Sequence, residues 1–171
     1  MEQIYDVLIV GSGPAGMTAA IYGKRSGLSV AVLEGNYING GQILNTYEVD
    51  NYPGLPGISG LDLADKFKEH AVSHGAEFVR GKAERVTLEG DIKVVHTRKE
   101  EFRCRTLIIA AGAVHRKLGV PGEETLNGMG VSYCATCDGA FFRDKTVAVV
   151  GGGDVAVEDA IFLARAAERS T

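Results

Sequence analysis

The chain has 171 residues, with 18 lysines and arginines against 22 aspartates and glutamates and a formal net charge of -4. This near balance, without a basic stripe, argues against nucleic-acid binding, and the longest apolar runs are far too short to span a bilayer. Three cysteines form no disulfide framework and favour a reducing compartment, and no basic leader precedes Lys24. These features predict a cytoplasmic protein with neither a nucleic-acid nor a membrane partner.

The first part of the chain predicts a βαβ unit. Residues 5–10 form an almost continuous apolar run, as in a buried parallel strand. A helix is expected over residues 14–26, with proline in its first turn and glycine after its last residue. Residues 29–34 predict the second strand. The stretch 35–60, rich in Gly, Asn and Pro, predicts an ordered loop.

The rest of the chain predicts a helix, a small β-meander and a second glycine-rich unit. Apolar residues at helical spacing predict a helix over 61–74. Short apolar or alternating runs predict four strands, at residues 83–88, 92–97, 101–104 and 106–110. Residues 113–123 predict a crossing between domains. A further strand is expected at 146–150, followed by a glycine turn and a helix that runs almost to the last residue.

The second glycine-rich unit lacks the return strand that would complete it. A βαβ unit without this strand leaves one edge of its sheet unpaired. The sequence is therefore expected to be cut rather than finished.

The first glycine motif is Gly11-Ser12-Gly13-Pro14-Ala15-Gly16, placed between a predicted strand and a predicted helix. In such a motif the first glycine permits a tight turn, the second admits a pyrophosphate and the third lets helix and strand pack closely. The free amides at the helix start then hold the phosphates. Glu34 ends the second strand at roughly the 20-residue offset of a ribose-binding acid. This arrangement favours FAD or NAD over NADP; the alternative is a purely structural glycine turn.

The second motif is the C-x-x-C pair Cys134-Ala135-Thr136-Cys137, followed by Asp138. Near a helix start, one thiol of such a pair has a lowered pKa and forms the thiolate that attacks disulfides. Asp138 could then move a proton to the leaving thiolate. The alternatives are an inert pair of buried thiols and half of a zinc site, although no second pair supplies the other ligands. We expect no metal, and no role for Cys104.

These motifs, in their order and spacing, resemble the N-terminal half of bacterial-type (low molecular weight) thioredoxin reductases, within the FAD-dependent pyridine nucleotide-disulfide oxidoreductase family. The resemblance runs from about residue 5 to the end of the chain. Besides the first glycine motif with Glu34, the segments that carry it are 40–42, 51–54, 106–112, 134–139 and 151–158.

The resemblance implies an α/β fold of two domains. Residues 1–113 would form a Rossmann-like, three-layer FAD-binding domain with a small β-meander, lacking its C-terminal return segment. Residues 114–171 would be the incomplete start of a second Rossmann-like domain, which binds NAD(P)H and carries the cysteine pair.

The resemblance also implies residues for each cofactor. FAD would lie on the first glycine motif, with its ribose on Glu34. Further FAD contacts would come from residues along the flavin and its chain: Gly40, Gly41, Gln42, Asn51, Ala83, Ala110, Ala111 and Gly112. NADPH or NADH would bind at Gly151 and Gly153, with Ala156 standing in for the third glycine. Ala111 departs from the family, which often has Thr at that position.

The implied activity is that of a flavoprotein disulfide reductase. Electrons would pass from NAD(P)H through FAD to Cys134–Cys137 and on to a protein disulfide, that of thioredoxin or a similar small protein. Cys137 would face the flavin, Cys134 would attack the partner and Asp138 would supply the proton. A homodimer is implied as well. Open alternatives are another partner (peroxiredoxin-type or glutaredoxin-like), ferredoxin as the donor, and a truncated, non-catalytic FAD- or nucleotide-binding fragment.

Overall fold

The computed structural model describes residues 3–167, so the end of the expected C-terminal helix, after residue 167, lies outside the described residues. The chain divides into two compact units. The first consists of Met1–Glu48 with Gly57–Ala113, and the second of Val49–Pro56 with Val114–Thr171. The assignment of residues 1–113 to FAD and of 114–171 to a nicotinamide nucleotide stays a prediction.

The first unit is built on one mixed sheet. Its strands are β1 (Ile4–Val10), β2 (Val30–Glu34), β3 (Glu77–Arg80), β4 (Arg85–Glu89), β5 (Ile92–His96) and β6 (Glu101–Ile109). They lie in the order β3-β2-β1-β6-β5-β4. The pairs β3–β2, β2–β1 and β1–β6 are parallel, whereas β6–β5 and β5–β4 are antiparallel. The expected α/β sheet and meander are therefore two halves of one sheet.

Two features of the sheet differ from the sequence expectation. Residues 101–110 predict two strands, but Glu101–Ile109 is one strand that pairs with β5 through its first residues and with β1 along most of its length. The arginines of this strand interrupt its apolar pattern, so the sequence predicts two strands, but they do not interrupt its backbone pairing with β1. Glu77–Arg80 was missed because a short edge strand with charged ends gives almost no periodic signal.

Two helices pack against one face of this sheet. Helix α1 spans Pro14–Arg25 and helix α2 spans Gly60–Ser73, close to the expected bounds. The hydroxyl of Ser59 caps α2 by accepting a hydrogen bond from the Asp62 amide at 3.1 Å. Apolar side chains of α1 and α2 form a core with those of the parallel strands: Val7, Ile9, Ala20, Val30, Val32, Ala71 and Ala76.

The opposite face of the sheet carries a second core. Leu8 and Leu33 pack there with Val95 and Cys104, all at most 1% exposed. Cys104 lies on β6, where its thiol is 3.6 Å from the carbonyl oxygen of Lys93. The third cysteine is therefore a core residue, and its burial raises the pKa of its thiol.

The second unit contains helices α3 (Ala135–Asp138) and α4 (Asp154–Ala167), with a 3₁₀ helix at Gly139–Phe142. Gly139 lies against α4, because a Cβ atom there would be 3.3 Å from side-chain atoms of Phe162 and Leu163. Helix α4 therefore packs against the residue that follows the cysteine turn. Among the described residues, none of the helices is both long and apolar enough to cross a bilayer.

The strand expected at residues 146–150 is not present as a strand. A strand is held by hydrogen bonds to a neighbour, and the described part of the second unit offers no strand beside this segment. Val149 is 40% and Val150 66% exposed, so these apolar side chains lie uncovered here.

Replacing Leu8 by alanine tests the second core. Leu8 is fully buried, so Leu8→Ala should lower the free energy of unfolding by about 2–5 kcal/mol through lost burial and the cavity left behind. Urea unfolding followed by circular dichroism measures the change. Leu88→Ala is the matched control on the same sheet, because Leu88 is 71% exposed and should change stability by less than about 0.5 kcal/mol. Equal losses in the two variants would contradict this core.

Candidate functional site

The first glycine motif forms a turn that is fixed by contacts between backbones. Gly11 has φ +105°, and a Cβ atom there would lie 2.2 Å from the carbonyl oxygen of Ala110. A Cβ atom on Gly16 would lie 1.9 Å from the oxygen of Gly11. The Gly11 amide also donates to the Leu33 oxygen at 2.9 Å. Larger residues do not fit at either glycine, and the turn is held at the carboxyl edge of the sheet.

The first turn of α1 presents free amides at this edge. Gly13 is the N-cap, and no side chain caps the helix. The Met17 amide bonds to the Gly13 oxygen at 3.0 Å, whereas the amides of Ala15 and Gly16 precede the first intrahelical bond. Pro14 has no amide proton to leave unpaired. Together with the dipole of this 12-residue helix, these amides favour an anion.

A second glycine-rich loop lies directly against the turn. The Gly40 amide donates to the Ser12 oxygen at 3.0 Å. A Cβ atom on Gly41, which has φ +63°, would be 3.2 Å from the Gly13 Cα atom. The Gln42 side-chain amide donates to the Ala113 oxygen just after β6. The approach to the helix amides is therefore lined by backbone without side chains, which fits a dinucleotide pyrophosphate.

The carboxylate of Glu34 is held by the same turn. One of its oxygens accepts hydrogen bonds from the Ser12 amide at 2.9 Å and the Ser12 hydroxyl at 2.6 Å, and the other from the Asn36 amide at 2.8 Å. Partial burial raises the pKa of Glu34, but these hydrogen bonds outweigh burial and hold the pKa below its ordinary value. Glu34 is therefore an oriented anion whose second oxygen has acceptor capacity left for a ribose hydroxyl.

Four other predicted residues also lie near the ends of strands in the first unit. Ala110 directly follows β6, and its amide donates to the backbone oxygen of Val10 at 2.8 Å. Ala111 and Gly112 therefore leave the sheet next to the end of β1. Ala83, between β3 and β4, is partly buried against the core behind Leu33.

Asn51 is placed differently. It is exposed and belongs to Val49–Pro56, which is part of the second unit.

The second glycine motif repeats the turn geometry at the start of α4. Gly151 has φ +138°, and a Cβ atom there would lie 3.0 Å from the Cβ of Ala156. The Val157 amide bonds to the Gly153 oxygen at 3.2 Å. The predicted nucleotide-binding residues of the second unit therefore come together in one turn, although the strand expected before it is missing.

The two cysteines of the C-x-x-C motif are joined in a disulfide, with 5.3 Å between their Cα atoms. Cys134 caps α3, and the Cys137 amide donates to the Cys134 sulfur at 3.3 Å. The helix start expected beside the pair is present, but α3 has only four residues, and the Cys137 amide is the donor that it directs to the Cys134 sulfur. Cys137 is exposed, whereas Cys134 is half-buried.

Ser132 connects Asp138 to the cysteine turn. Its hydroxyl oxygen accepts from the Cys134 amide at 3.1 Å, and its proton is directed to an Asp138 carboxylate oxygen at 2.6 Å. A hydroxyl has only one proton, so the contact with the Cys134 carbonyl at 3.2 Å is secondary. Asp138 is thereby held in the same turn as the pair, and its other carboxylate oxygen keeps its acceptor capacity.

A buried carboxylate fixes the segment that precedes the cysteines. Glu123, 5% exposed, accepts from the amides of Leu118 at 2.7 Å and Gly119 at 2.6 Å, and from the Tyr133 hydroxyl. The bond from Tyr133 is the main cause that lowers the pKa of Glu123 to about 2. The same bond raises the pKa of Tyr133 to about 12. His115 stacks on the Tyr133 ring, with 3.4 Å between centroids.

Sequence reasoning missed these supporting residues. Ser132 had a weak local signal, because a serine two residues before a turn often bonds to the backbone there. Glu123 and Tyr133 carried no such signal, since their contact joins two loops whose separation in space is not encoded by any periodicity. Within the described residues, no cluster of three or more His, Cys, Asp or Glu side chains is arranged to hold a metal.

Comparison with known proteins gives consistent matches. A family model described as pyridine nucleotide-disulphide oxidoreductase matches residues 5–171. The chain is 52% identical over 170 residues to the thioredoxin reductase of Bacillus subtilis (strain 168), covering 99% of this chain and 54% of that protein. It is 50% identical over 170 residues to the thioredoxin reductase of Listeria monocytogenes, covering 99% and 53%. The crystal structure of thioredoxin reductase from Streptococcus pyogenes superposes with a TM-score of 0.90 at 52% identity, covering 96% of this chain and 54% of that one.

A glycine-cradled helix beside parallel strands is the arrangement of the dinucleotide-binding α/β class of proteins, and here it occurs in the same chain as a Cys134–Cys137 disulfide. The chain belongs to the pyridine nucleotide-disulphide oxidoreductase family. It spans about half the length of the curated relatives it matches.

The Ser12 hydroxyl should stabilise the fold only while Glu34 is ionised. Ser12→Ala removes one charge-assisted hydrogen bond from the half-buried carboxylate, which should cost about 1 kcal/mol at neutral pH. Because the folded pKa of Glu34 is lowered, this contribution is present above the unfolded pKa and disappears as pH falls through the folded pKa. Urea unfolding of both proteins across the acid range measures it.

Ser73→Ala is the control for Ser12→Ala, because the Ser73 hydroxyl donates to a backbone carbonyl, that of His70. Its effect should not change through the carboxylate range. A deficit in Ser12→Ala that stayed constant with pH would contradict the role given to Glu34.

Replacing Glu123 should lower the pKa of Tyr133. In Glu123→Gln the negative acceptor is lost, so the pKa of Tyr133 should fall from about 12 towards the ordinary value of about 10. Phenolate absorbance after a rapid pH jump measures it, and Tyr133→Phe identifies the contribution of that ring. Glu69→Gln is the matched control, since Glu69 is an exposed residue of α2 and does not contribute to the raised pKa of Tyr133. A Tyr133 pKa that stays near 12 without Glu123 would overturn this account.

Proposed function

We propose that this chain carries the FAD-binding and disulfide-bearing half of a thioredoxin-disulfide reductase. The observation that supports this most directly is the Cys134–Cys137 disulfide with Asp138 beside it, in a chain with a dinucleotide turn at Gly11–Gly16. The relatives that cover nearly all of this chain are named thioredoxin reductases. Electrons would pass from a reduced pyridine nucleotide, through FAD, to the cysteine pair and then to a protein disulfide.

The residues that would hold FAD are those of the first unit. The amides at the start of α1 would bind its pyrophosphate, and Glu34 would accept hydrogen bonds from its ribose. Gly40, Gly41 and Gln42 line the same approach. When bound, FAD supplies a two-electron carrier between the nicotinamide and the disulfide.

The reduced cysteine pair would act by thiol–disulfide exchange. The Cys134 thiolate attacks one sulfur of the partner's disulfide, so that a mixed disulfide forms while the partner's S–S bond breaks and its second sulfur leaves as a thiolate. Cys137 then attacks the Cys134 sulfur, which restores the Cys134–Cys137 disulfide and releases the partner's other sulfur. The partner gains two electrons and two protons, and the pair, which passes from dithiol to disulfide, loses the same two electrons and two protons.

Asp138 would supply a proton to a departing thiolate. Ser132 occupies one of its carboxylate oxygens, so the other would carry the proton. Ser132 also accepts a hydrogen bond from the Cys134 amide. Through Ser132, Asp138 would therefore keep a fixed position relative to Cys134.

The proposal includes finer points that family resemblance supports. NADPH or NADH would bind at Gly151, Gly153 and Ala156, thioredoxin or a similar small disulfide protein would be the partner, and the complete protein would be a cytoplasmic homodimer. The roles of the two cysteines also rest on resemblance. Exposure alone favours the opposite order, because Cys137 is the more exposed of the two.

Trapping of the mixed disulfide tests the chemistry and the order of the cysteines. The reduced chain is mixed with oxidised thioredoxin, and products are read by non-reducing electrophoresis and mass spectrometry. Cys137→Ser should accumulate a stable mixed disulfide through Cys134, because the resolving thiol is gone. Cys134→Ser should accumulate none, and Cys104→Ser should behave as the unmodified chain because Cys104 is buried. Trapping by Cys134→Ser alone would reverse the assigned roles, and trapping by neither variant would refute the proposed exchange.

A further inference from the structure

His70 and His74 form an exposed pair of imidazoles at the carboxyl end of α2. They are four residues apart, so their side chains lie on the same face of the helix. Their Nε2 atoms are 3.3 Å apart, whereas the ring centroids are 5.1 Å apart and the ring planes are inclined by 43°. The rings therefore approach each other through their Nε2 edges. Spacing alone indicates no more than a solvated helix end, but the arrangement of the rings is specific.

This geometry is that of two imidazoles that share one zinc ion. With Zn–N distances of about 2.0–2.1 Å and a tetrahedral angle of about 109°, two ligating nitrogens lie about 3.3–3.4 Å apart. The centroids of two rings aimed at the ion lie about 5.2 Å apart, because each centroid is about 1.1 Å behind its nitrogen. Both separations agree with those of His70 and His74. An ion can therefore be bound with little movement of either ring.

The backbone that carries the two imidazoles is anchored to the core of the first unit. Ala71 is fully buried and Ala76 is 7% exposed, and both pack in the core between α2 and the sheet. The Ala76 amide donates to the Ala71 oxygen at 3.1 Å. The Ser73 hydroxyl donates to the backbone oxygen of His70 at 2.8 Å. The rings thus stand in solvent on a fixed helix end, which lowers the cost of ordering the ligands when an ion binds.

The donor set indicates the class of ion. Imidazole nitrogens suit Zn²⁺, Cu²⁺ and Ni²⁺, whereas Mg²⁺ and Ca²⁺ prefer oxygen ligands. Within residues 3–167, no third His, Cys, Asp or Glu side chain joins the pair in a metal-binding cluster, so two positions of a tetrahedral ion are open to water. Ala71 follows His70 where the H-E-x-x-H pattern of zinc proteases has its general base. The pair is therefore suited to binding an ion rather than to hydrolysis.

We propose that His70 and His74 form a solvent-exposed, bidentate site for zinc or a similar divalent transition-metal ion. This inference does not rest on the proposed function, because it involves neither the dinucleotide turn nor the cysteine pair. Two linked ligands bind one ion far more tightly than either ligand alone, since the second contact is intramolecular. Loss of either imidazole should remove this advantage.

The test is calorimetric binding of zinc to the 171-residue chain with its Cys134–Cys137 disulfide intact, so that these thiols do not compete for the ion. The unmodified chain should bind one zinc ion. His70→Gln and His74→Gln should each weaken this binding by about a hundredfold.

The matched control moves one imidazole without changing the number of histidines. The double variant Val72→His with His74→Val places the second imidazole two residues after His70, where the side chains do not face each other. Val72 is 50% exposed, so the exchange alters the surface of the helix and not the core. This variant should bind zinc as weakly as the single variants.

Urea unfolding gives a second readout of the same site. An ion bound only by the folded chain stabilises it, so the urea midpoint of the unmodified chain should rise with zinc concentration, and that of the double variant should not. Equal zinc affinity in these two proteins, displacement of zinc by equimolar Mg²⁺, or no zinc binding to the unmodified chain would each overturn the proposal. Mixed-disulfide trapping reads the cysteines separately, so failure of this proposal is distinguishable from failure of the proposed function.

Discussion

The contact between backbones around Gly11 is the constraint on which the candidate site depends. At this point the end of β1 meets the first residue after β6 and is bonded to Leu33 of β2. No side chain fits between these segments, so the direction of α1 follows from the closeness of the strands. If the turn opened by the width of one methyl group, the helix amides would shift and Ser12 would leave the Glu34 carboxylate. The helix amides and the Glu34 carboxylate are therefore positioned by the same close contact between backbones.

Two carboxylates play a similar structural part in the two units. Glu34 binds the turn after β1, and Glu123 binds the loop before the cysteines, each through backbone amides and one hydroxyl. In both cases the carboxylate accepts hydrogen bonds from backbone amides of a loop. These amides have no partner in a strand or a helix and would otherwise be unsatisfied. The two anions thereby fix backbone groups in irregular segments of the chain.

Sequence patterns predicted the parts of the structure that local chemistry determines. The β1–α1–β2 order, the glycine turn and Glu34 could be read because apolar period, helix punctuation and motif spacing all act within about 30 residues. Glu77–Arg80 could not, because its place at the sheet edge depends on β2 rather than on its own residues. The segment 146–150 shows the reverse case. Its own residues have the apolar pattern of a strand, but a strand also needs a neighbouring strand for its hydrogen bonds, and the described residues of the second unit contain none. Tyr37 and Arg80 lie far apart in sequence and meet only because their strand ends are neighbours.

The burial of Cys104 has a practical meaning for work with this molecule. Its thiol is buried against the sheet. The other two cysteines lie in a turn, where Cys137 is exposed and Cys134 is half-buried. An alkylating reagent applied to the native chain should therefore attach to no sulfur when the pair is oxidised and to the two paired sulfurs when it is reduced. Mass spectrometry after such labelling reads the oxidation state of the pair directly, without background from the third thiol and without chains cross-linked through it.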